Sequence, residues 1–385
     1  MPESKHEPGE PRVRKPLFPA RYWKHLLWIV PLVIVDLFIF SCLRHRGAQP
    51  EEVVVEELPL EPAITAQVAV AAAPWRNFVF PTDQTQLLAG AAAGVFQPTA
   101  SGNPESGTYG SVRTANNGSG LMSSFHEGID IAALQRDRQH RPLDTVHAVA
   151  DGVVGYVNRI GGNSNYGIYV VLLHNDPVGE VYTLYAHLAE VPKTLRAGQS
   201  VAAGETIGLM GNTSSAGIPM ERAHLHFEIG LINNQRFAVW YRAQKLKPDH
   251  GNFHGRNFLG VNPLSFMAFR ERNPDTDFRS YLRSVPPAFE VVVAAGRRPD
   301  FFSRYPALWD GDGAPIVLSC SENGVPLGAR RASSAEQQVL GKRKYAVLNA
   351  DEAVLGRNGA HLLSKTSNGW KLGRKGDEWL EILTY

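Results

Sequence analysis

Five side chains between residues 126 and 226 could together hold and use a metal ion. They are His126, Asp130, His187, His224 and His226. Two imidazoles and one carboxylate, with a fourth position open to water, are the ligand set of a catalytic zinc site, whereas closed structural sites are rich in thiolates. The histidines left over could transfer protons, because imidazole titrates near neutral pH. Nine of the thirteen histidines of the chain fall between residues 126 and 254, which favours such a site there.

The spacing of these residues predicts that they converge. In an extended chain the side chains alternate, so positions two or four apart point to the same side. His126 and Asp130 should therefore meet, with Gly128 between them leaving room, and His224 and His226 should share one face of a strand.

Short β-branched and aromatic runs predict an antiparallel β domain that positions these side chains. Such runs cover residues 153–157, 169–174 and 181–188, and turn residues such as Gly, Asn, Asp and Pro separate them. No stretch from 146 to 211 carries a helical period of 3.6. The fold class is therefore expected to be mainly β.

Four segments carry a resemblance to a known family. They are HEGID at 126–130, YAHL at 185–188, GETIG at 204–208 and AHLHFEI at 223–229. In order and spacing they resemble the lysostaphin/LytM-type zinc endopeptidases of bacterial cell walls. The resemblance extends from about residue 120 to residue 266 and implies a metallopeptidase domain at 120–268. Its expected fold is a curved antiparallel sheet whose groove holds an extended peptide.

The resemblance also implies a role for each residue. His126, Asp130 and His226 would bind one Zn²⁺ ion, and His187 and His224 would assist catalysis. The chain would then be a zinc metalloendopeptidase that uses zinc-activated water to hydrolyse peptide cross-links of peptidoglycan.

Several neighbouring features are expected to lie outside the zinc site. Glu127 should point away from the pair on an alternating strand, which predicts a structural or rim role. A charged stretch at 135–141 and an excursion at 230–262 should form loops that rim the groove. Within the excursion, His250 and His254 are four residues apart, and we expect solvated surface histidines rather than a second metal pair.

Two functions other than hydrolysis are compatible with the same fold. One is a non-catalytic regulator that activates a separate cell-wall hydrolase; proteins of that kind typically lose metal ligands, and all five positions are intact here. The other is a wall-binding scaffold whose functional part is the C-terminal domain. The sequence favours the enzyme.

An apolar run at residues 26–43 predicts an N-terminal transmembrane helix that serves as a signal anchor. At 1.5 Å per residue the run reaches roughly 27 Å, close to the thickness of a hydrocarbon core. Basic residues precede the run, which places residues 1–25 in the cytoplasm and the catalytic domain on the periplasmic side of a bacterial inner membrane. Lipidation at Cys42 is a minor alternative. An acidic, Pro-containing linker follows at 44–75.

The remaining segments complete the expected organisation. Residues 76–119 form a lead-in in which Tyr109 and Arg113 are expected to pack rather than to touch substrate. Residues 285–385 are expected to form a β-rich accessory domain of unknown role, with strands at 290–294, 316–319, 345–348 and 379–383. With 39 Lys and Arg against 37 Asp and Glu, the chain shows no basic excess that would indicate nucleic acid. The expected partners are peptidoglycan peptides and, through the N-terminal helix, the membrane.

Overall fold

The computed structural model describes residues 75–116, 121–311, 313 and 315–385. All of them lie in one compact unit, Ala66–Tyr385. The predicted cytoplasmic segment, the predicted membrane anchor, Cys42 and all but the last residue of the predicted linker lie outside the described residues. Among the described residues, no helix is both long enough and apolar enough to cross a membrane.

The described part of the chain is mainly β, as the sequence predicts. Its strands, in chain order, are β1 (Gly110–Asn116), β2 (Leu121–His126), β3 (Ile129–Ala132), β4 (Thr145–His147), β5 (Gly152–Asn158), β6 (Ile168–Asp176), β7 (Gly179–Leu188), β8 (Ser200–Val201), β9 (Thr206–Leu209), β10 (His224–Ile232), β11 (Phe258–Val261), β12 (Phe289–Val293), β13 (Trp309–Asp310), β14 (Ile316–Cys320), β15 (Pro326–Arg331), β16 (Tyr345–Ala350), β17 (Leu363–Thr366) and β18 (Gly369–Leu372).

Short helices fill the connections. The α-helices are α1 (Phe237–Ala243), α2 (Pro263–Arg272), α3 (Phe278–Ser284), α4 (Asp300–Arg304), α5 (Ser334–Leu340), α6 (Glu352–Leu355) and α7 (Arg374–Thr384). Single turns of 3₁₀ helix lie at Leu87–Ala89, Ala91–Ala93, Pro104–Gly107, Met220–Arg222, Gly251–Phe253, Gly255–Asn257 and Pro306–Leu308.

A seven-stranded antiparallel sheet carries the predicted site. Its strands follow the order β11-β10-β7-β6-β5-β8, and β3 pairs with β10 as well. Strand β3 pairs with the first residues of β10, whereas β11 pairs with its last residues, so both lie along the same edge of β10. The first half of β10, which begins with His224, therefore lies between β3 and β7.

Alternating side chains make both faces of this sheet apolar. On β6, Val170 and Leu172 join the main hydrophobic core, while Tyr169 and Val171 belong to a second buried cluster on the opposite face. Period-two alternation of this kind is what a strand requires in order to bury both of its sides. The second cluster continues onto β11 through Phe258, and the polar site residues lie next to it.

The C-terminal region contains a second sheet that packs onto the first body. Its order is β13-β15-β14-β12-β16, and all of its pairs are antiparallel except β13 with β15. The main core is continuous between the two regions, because Phe227 of β10 and Phe289 of β12 belong to the same buried cluster. Cys320 is fully buried in this cluster, as expected of a small hydrophobic residue.

One predicted strand of the C-terminal region is wrong. Residues 379–383 lie within helix α7, not in a strand. Four of its apolar side chains, Trp379, Leu380, Ile382 and Leu383, are buried. Counted from Trp379, the other three lie one, three and four residues further on, so all four share one face of a helix. A short apolar run of this kind is equally compatible with a strand, which is why the sequence misled the prediction. The predicted strands near 290, 316 and 345 are confirmed as β12, β14 and β16.

Candidate metal centre

Three side chains meet in a compact triangle at the start of β10. His226 lies opposite Asp130 in the β10–β3 register, and its Nδ1 is 2.9 Å from Asp130 Oδ1. His126 Nε2 is 3.1 Å from the same oxygen and 3.0 Å from His226 Nδ1. All three residues are buried and offer one ligand atom each to a common point. The predicted approach of His126 to Asp130 is therefore confirmed, and the β3–β10 pairing brings His226 to the same point.

The route by which His126 and Asp130 meet differs from the expected one. They do not share an extended strand: His126 ends β2, Asp130 lies in β3, and the chain bends at residues 127 and 128. Gly128 is required at this bend, because an added Cβ would lie 2.9 Å from Glu228 Cγ and closer still to a backbone oxygen. The prediction that Gly128 leaves room is correct.

Hydrogen bonds fix which nitrogen of each histidine faces the centre. His126 Nδ1 is 2.7 Å from the Thr108 carbonyl, and His224 Nδ1 is 2.6 Å from the Arg222 carbonyl. His187 Nδ1 is likewise 2.9 Å from a backbone carbonyl, that of residue 213. A carbonyl oxygen only accepts, so each Nδ1 carries the hydrogen and each Nε2 presents a lone pair.

The donor set fits a divalent metal ion. Bond lengths of about 2.0–2.2 Å in a tetrahedral zinc site separate neighbouring ligand atoms by roughly 3.3 Å, and the observed separations are 2.9–3.1 Å. Nitrogen and carboxylate oxygen are ligand types that zinc accepts. Two imidazole nitrogens and a carboxylate oxygen that face a common point attract a positive charge to it. The cluster His126, Asp130 and His226 could therefore hold the metal.

A buried carboxylate supports the third ligand, and the sequence did not single it out. Glu228 is fully buried and accepts from His226 Nε2 at 2.8 Å. It also accepts from the hydroxyls of Tyr166 at 2.7 Å and Tyr182 at 2.8 Å. The bond to Glu228 leaves the lone pair of His226 on Nδ1, which is the atom that faces Asp130. The alternation of side chains along the strand places Glu228 on the same face as His224 and His226, so the sequence could have identified it.

Arg113 is a second residue whose role was not anticipated. Its Nη2 donates to Asp130 Oδ2 and lies 3.0 Å from His126 Nε2. Its Nε donates to the Ser106 carbonyl at 2.9 Å, so the guanidinium is anchored from behind. The expectation of simple packing is therefore incomplete. By occupying Oδ2, Arg113 directs the other carboxylate oxygen, Oδ1, toward the two imidazoles.

His187 reaches the cluster through an unusual backbone conformation. Its φ is +61°, in the left-handed region, and the β6–β7 register shifts beside it. Regular alternation would place His187 on the side of Tyr185, which lies in the main core. The left-handed residue turns the imidazole to the opposite face instead. Its ring centroid lies 4.9 Å from that of His224 and 5.8 Å from that of His226.

The electrostatics of the cluster favour positive charge at His226 and a neutral His187. Burial alone would lower the pKa of His226, but hydrogen bonds to Asp130 and Glu228 raise this pKa to about 9. A proton and a metal ion thus compete for the same nitrogen. Burial, and then the neighbouring His224 and His226, hold the pKa of His187 well below its usual value. His187 is therefore neutral at neutral pH.

Two smaller predictions have different outcomes. The Glu127 residue is exposed, in agreement with a rim position. The prediction that His250 is a solvated surface residue is wrong, because His250 is buried and lies 3.1 Å from both the Tyr156 hydroxyl and the Asn163 carbonyl. Both of its ring nitrogens are used in these contacts, so His250 is a structural residue.

Comparison with known proteins now assigns the central region. Residues 124–238 match the profile of peptidase family M23. This segment runs from β2 to α1 and contains His126, Asp130, His187, His224 and His226. Residues 124–238 form a peptidase M23 domain. The resemblance to lysostaphin/LytM-type enzymes stated from the sequence is confirmed.

Individual relatives match only part of this chain. A curated protein of Haemophilus influenzae, described as an uncharacterized metalloprotease, is 37% identical over 106 residues, which are 28% of this chain and 18% of that protein. The match therefore spans less than a fifth of the relative. A zinc-containing peptidase from Vibrio cholerae is 27% identical, with coverage of 32% and 31% of the two chains and a TM-score of 0.24. The catalytic domain of lysostaphin from Staphylococcus simulans is 22% identical, with coverage of 42% and 89% and a TM-score of 0.27.

One of the side chains that contact the cluster lies outside the M23 segment. Arg113 precedes residue 124, and it belongs to the β1–β2 hairpin. The C-terminal region after residue 238 lies outside the match as well, although it shares the main core with the M23 domain. The site is therefore built by the M23 domain together with the segment that precedes it.

Proposed function

We propose that this chain is a membrane-anchored zinc metalloendopeptidase that hydrolyses peptide cross-links of bacterial peptidoglycan. The observation that carries the proposal is the buried cluster of His126, Asp130 and His226, with the lone pairs of His187 and His224 beside it. A structural zinc site would need no further imidazoles, whereas a hydrolase needs groups that move protons next to the metal. The metalloprotease description of the Haemophilus influenzae relative supports the same activity.

In this proposal His126, Asp130 and His226 hold one Zn²⁺ ion. Zinc supplies Lewis-acid chemistry, since it polarises a peptide carbonyl and acidifies water. Glu228 and Arg113 keep two of the ligands oriented, because Glu228 accepts from His226 and Arg113 donates to Asp130. Ligands held in this way lose little conformational freedom when the ion binds.

The two remaining histidines move protons and bind the developing oxyanion. His187 is neutral at neutral pH and presents the Nε2 lone pair, so it can accept a proton from the attacking water. His224 presents Nε2 to the same space, 3.4 Å from Asp130 Oδ1. A histidine that has gained a proton can donate a hydrogen bond to the oxyanion and then pass the proton to the leaving amine.

The substrate groove is proposed on the face of the sheet that carries these side chains. Tyr166 is half-buried beside the cluster, and its hydroxyl donates to Glu228. An extended peptide would lie next to His187 and His224, past the ring of Tyr166. The resemblance of the sequence to lysostaphin/LytM-type endopeptidases supports a cell-wall peptide as the substrate class.

The proposal includes a membrane anchor at residues 26–43, and the amino-acid sequence of this segment supports it. An apolar run of this length with basic residues before it favours a single crossing with the M23 domain outside the cytoplasm. This location would bring the enzyme to peptidoglycan. Protease accessibility of the domain in intact spheroplasts, with a cytoplasmic marker as control, tests the orientation.

Digestion of purified peptidoglycan by the full-length chain tests the activity. We expect new amino termini that disappear when a chelator is added and return with Zn²⁺. His226→Ala should lose both zinc and activity, whereas His187→Ala should keep zinc and lose turnover. Stoichiometric zinc without any new termini would favour the non-catalytic regulator. Full activity of either variant would overturn the assignment of roles.

A further inference from the structure

The β1–β2 hairpin carries part of the metal centre but is not built into either large sheet. Strands β1 and β2 pair with each other as a separate two-stranded sheet. A two-stranded hairpin is marginally stable at best on its own. This hairpin nevertheless ends at His126 and presents Arg113 to Asp130. Its position must therefore be fixed by contacts with other parts of the protein.

Residues 358–361 of the C-terminal region, which we call the clamp loop, contact both strands of the hairpin. The Gly359 N–H donates to Ser111 Oγ of β1 at 2.8 Å. His361 Nε2 donates to the Ser123 carbonyl of β2 at 3.0 Å. Each strand of the hairpin therefore has its own hydrogen bond to the clamp loop, about 240 residues away along the chain.

Gly359 also packs directly against the backbone that leads into His126. A Cβ at this position would lie 2.5 Å from the carbonyl carbon of Ser124 and 2.7 Å from the backbone nitrogen of Phe125. Real Cβ atoms do not approach backbone this closely. Only the absence of a side chain at Gly359 allows the clamp loop to sit against the two residues before the ligand.

The clamp loop is itself held rigidly. The Asn358 side-chain amide donates to the Glu322 carbonyl and to Glu322 Oε2, both at 3.0 Å. The next residue, Asn323, donates to the Gly260 carbonyl of β11 at 2.8 Å. Tyr109, at the base of the hairpin, donates to the same carbonyl at 3.0 Å. The C-terminal region, the hairpin and the edge of the catalytic sheet thus meet at one carbonyl.

We infer that the clamp loop positions His126 and Arg113, so that the C-terminal region is part of the scaffold of the metal centre. The inference rests on the proposed function, since it concerns the affinity of the same cluster for its metal. It gives residues 285–385 a role. Without the clamp loop, the hairpin would hold in place neither the ligand His126 nor Arg113, which orients the ligand Asp130. Gly359, Ser111 and His361 are positioning residues in this scheme.

Gly359→Ala in the full-length chain tests the inference, with Gly328→Ala as the matched control. Gly328 lies in β15 of the same C-terminal region, and a Cβ there meets nothing within 4 Å. We expect Gly359→Ala to weaken Zn²⁺ binding about ten-fold or more in competition with a chelator. We also expect it to alter the visible absorption of the Co²⁺-loaded protein, which reports ligand geometry. Gly328→Ala should match the wild type in both.

A milder pair of variants guards against general loss of folding. Ser111→Ala removes the hydroxyl that accepts from Gly359, whereas Ser111→Thr keeps it. We expect the alanine variant to weaken metal binding by a smaller factor and the threonine variant to restore it. Amide hydrogen exchange of residues 121–126, measured with chelator present, should be faster in Gly359→Ala and Ser111→Ala and unchanged in Gly328→Ala.

The outcomes separate this inference from the proposed function. If the wild type binds no metal, the proposed zinc enzyme is wrong, and hydrogen exchange of the hairpin alone decides whether the clamp loop positions it. If the wild type binds metal but cleaves nothing, metal affinity and the Co²⁺ spectrum still decide. Wild-type metal affinity and wild-type exchange of the hairpin in Gly359→Ala would overturn the inference.

Discussion

The left-handed backbone at His187 shows how the conformation of a single residue can turn its side chain to the other face of a sheet. Non-glycine residues at positive φ cost about 1 kcal/mol or more, and Asn tolerates this region better than β-branched residues do. The sequence predicted that His187 takes part in the site but could not predict this geometry. A period-two pattern places its imidazole toward the core, and only the irregular register beside it reverses that direction.

Replacement of His187 by Asn and by Val separates its backbone role from its chemistry. We expect His187→Asn to keep the fold and the metal and to lose turnover, because the imidazole is gone but the left-handed conformation is still favourable. His187→Val should lose turnover and also be less stable than His187→Asn by about 1–2 kcal/mol. Denaturant unfolding and metal content measure these effects.

His140 provides the matched control. It has φ +62° and is exposed. The same two substitutions there should reproduce the stability difference and leave turnover unchanged. Equal stability of His187→Asn and His187→Val would contradict the strained conformation.

Glu228 lies behind the candidate metal centre and hydrogen-bonds one of its residues, His226. Three hydrogen-bond donors converge on its two oxygens, one of them from His226. Glu228→Gln replaces one oxygen with an amide that donates, so one of the three donors loses its acceptor. We expect Zn²⁺ affinity to fall about 10- to 100-fold, measured by chelator competition. The exposed Glu190, changed to Gln, serves as the control and should bind Zn²⁺ like the wild type.

At the scale of elements, the antiparallel pairing of β3 with β10 is what joins the ligands. Sequence periodicity predicted an extended segment from His126 to Asp130 and a strand that contains His224 and His226. It could not predict that β3 and β10 are neighbours, since 96 residues separate Asp130 from its partner His226 in the chain. The C-terminal region was predicted only in part. Residues 379–383 are as apolar as a buried strand would be, so their composition did not show that they belong to helix α7.

The bend between β2 and β3 offers a test of this element. Gly128→Ala would push a methyl group into β10, within 3.0 Å of His226 Cε1. The same Cβ would lie closer still to the carbonyl oxygen of Phe227 in the paired backbone of β10. Because this backbone cannot yield easily, we expect a loss of about 2 kcal/mol of folding free energy and of most bound metal. Gly162→Ala, in a loop with open space around the glycine, is the control and should change neither. Retention of full metal content in Gly128→Ala would show that the bend can adjust.

At the scale of the whole molecule, one continuous core joins the M23 domain to the C-terminal region. Stability is then a property of the entire described unit, and a buried group anywhere in the core can make it depend on pH. His174 of β6 is such a group. It is fully buried, away from the ligand cluster, with Nδ1 2.9 Å from the Asp151 carbonyl and Nε2 2.8 Å from Thr183 Oγ1.

Burial lowers the pKa of His174 to about 4, against about 6.5 when the chain is unfolded. Below pH 6.5 His174 binds a proton in the unfolded chain but stays neutral in the folded chain. The free energy of unfolding therefore decreases as the pH falls from 6.5 towards 4. The loss amounts to about 2 kcal/mol at pH 5 and about 3 kcal/mol at pH 4. Denaturant unfolding of the wild type and of His174→Gln at pH 8, 6 and 5 measures it. Relative to the wild type, the free energy of unfolding of the variant should rise by about 2 kcal/mol between pH 8 and pH 5. If the difference in this free energy does not vary with pH, His174 becomes protonated in the folded protein as readily as in the unfolded chain.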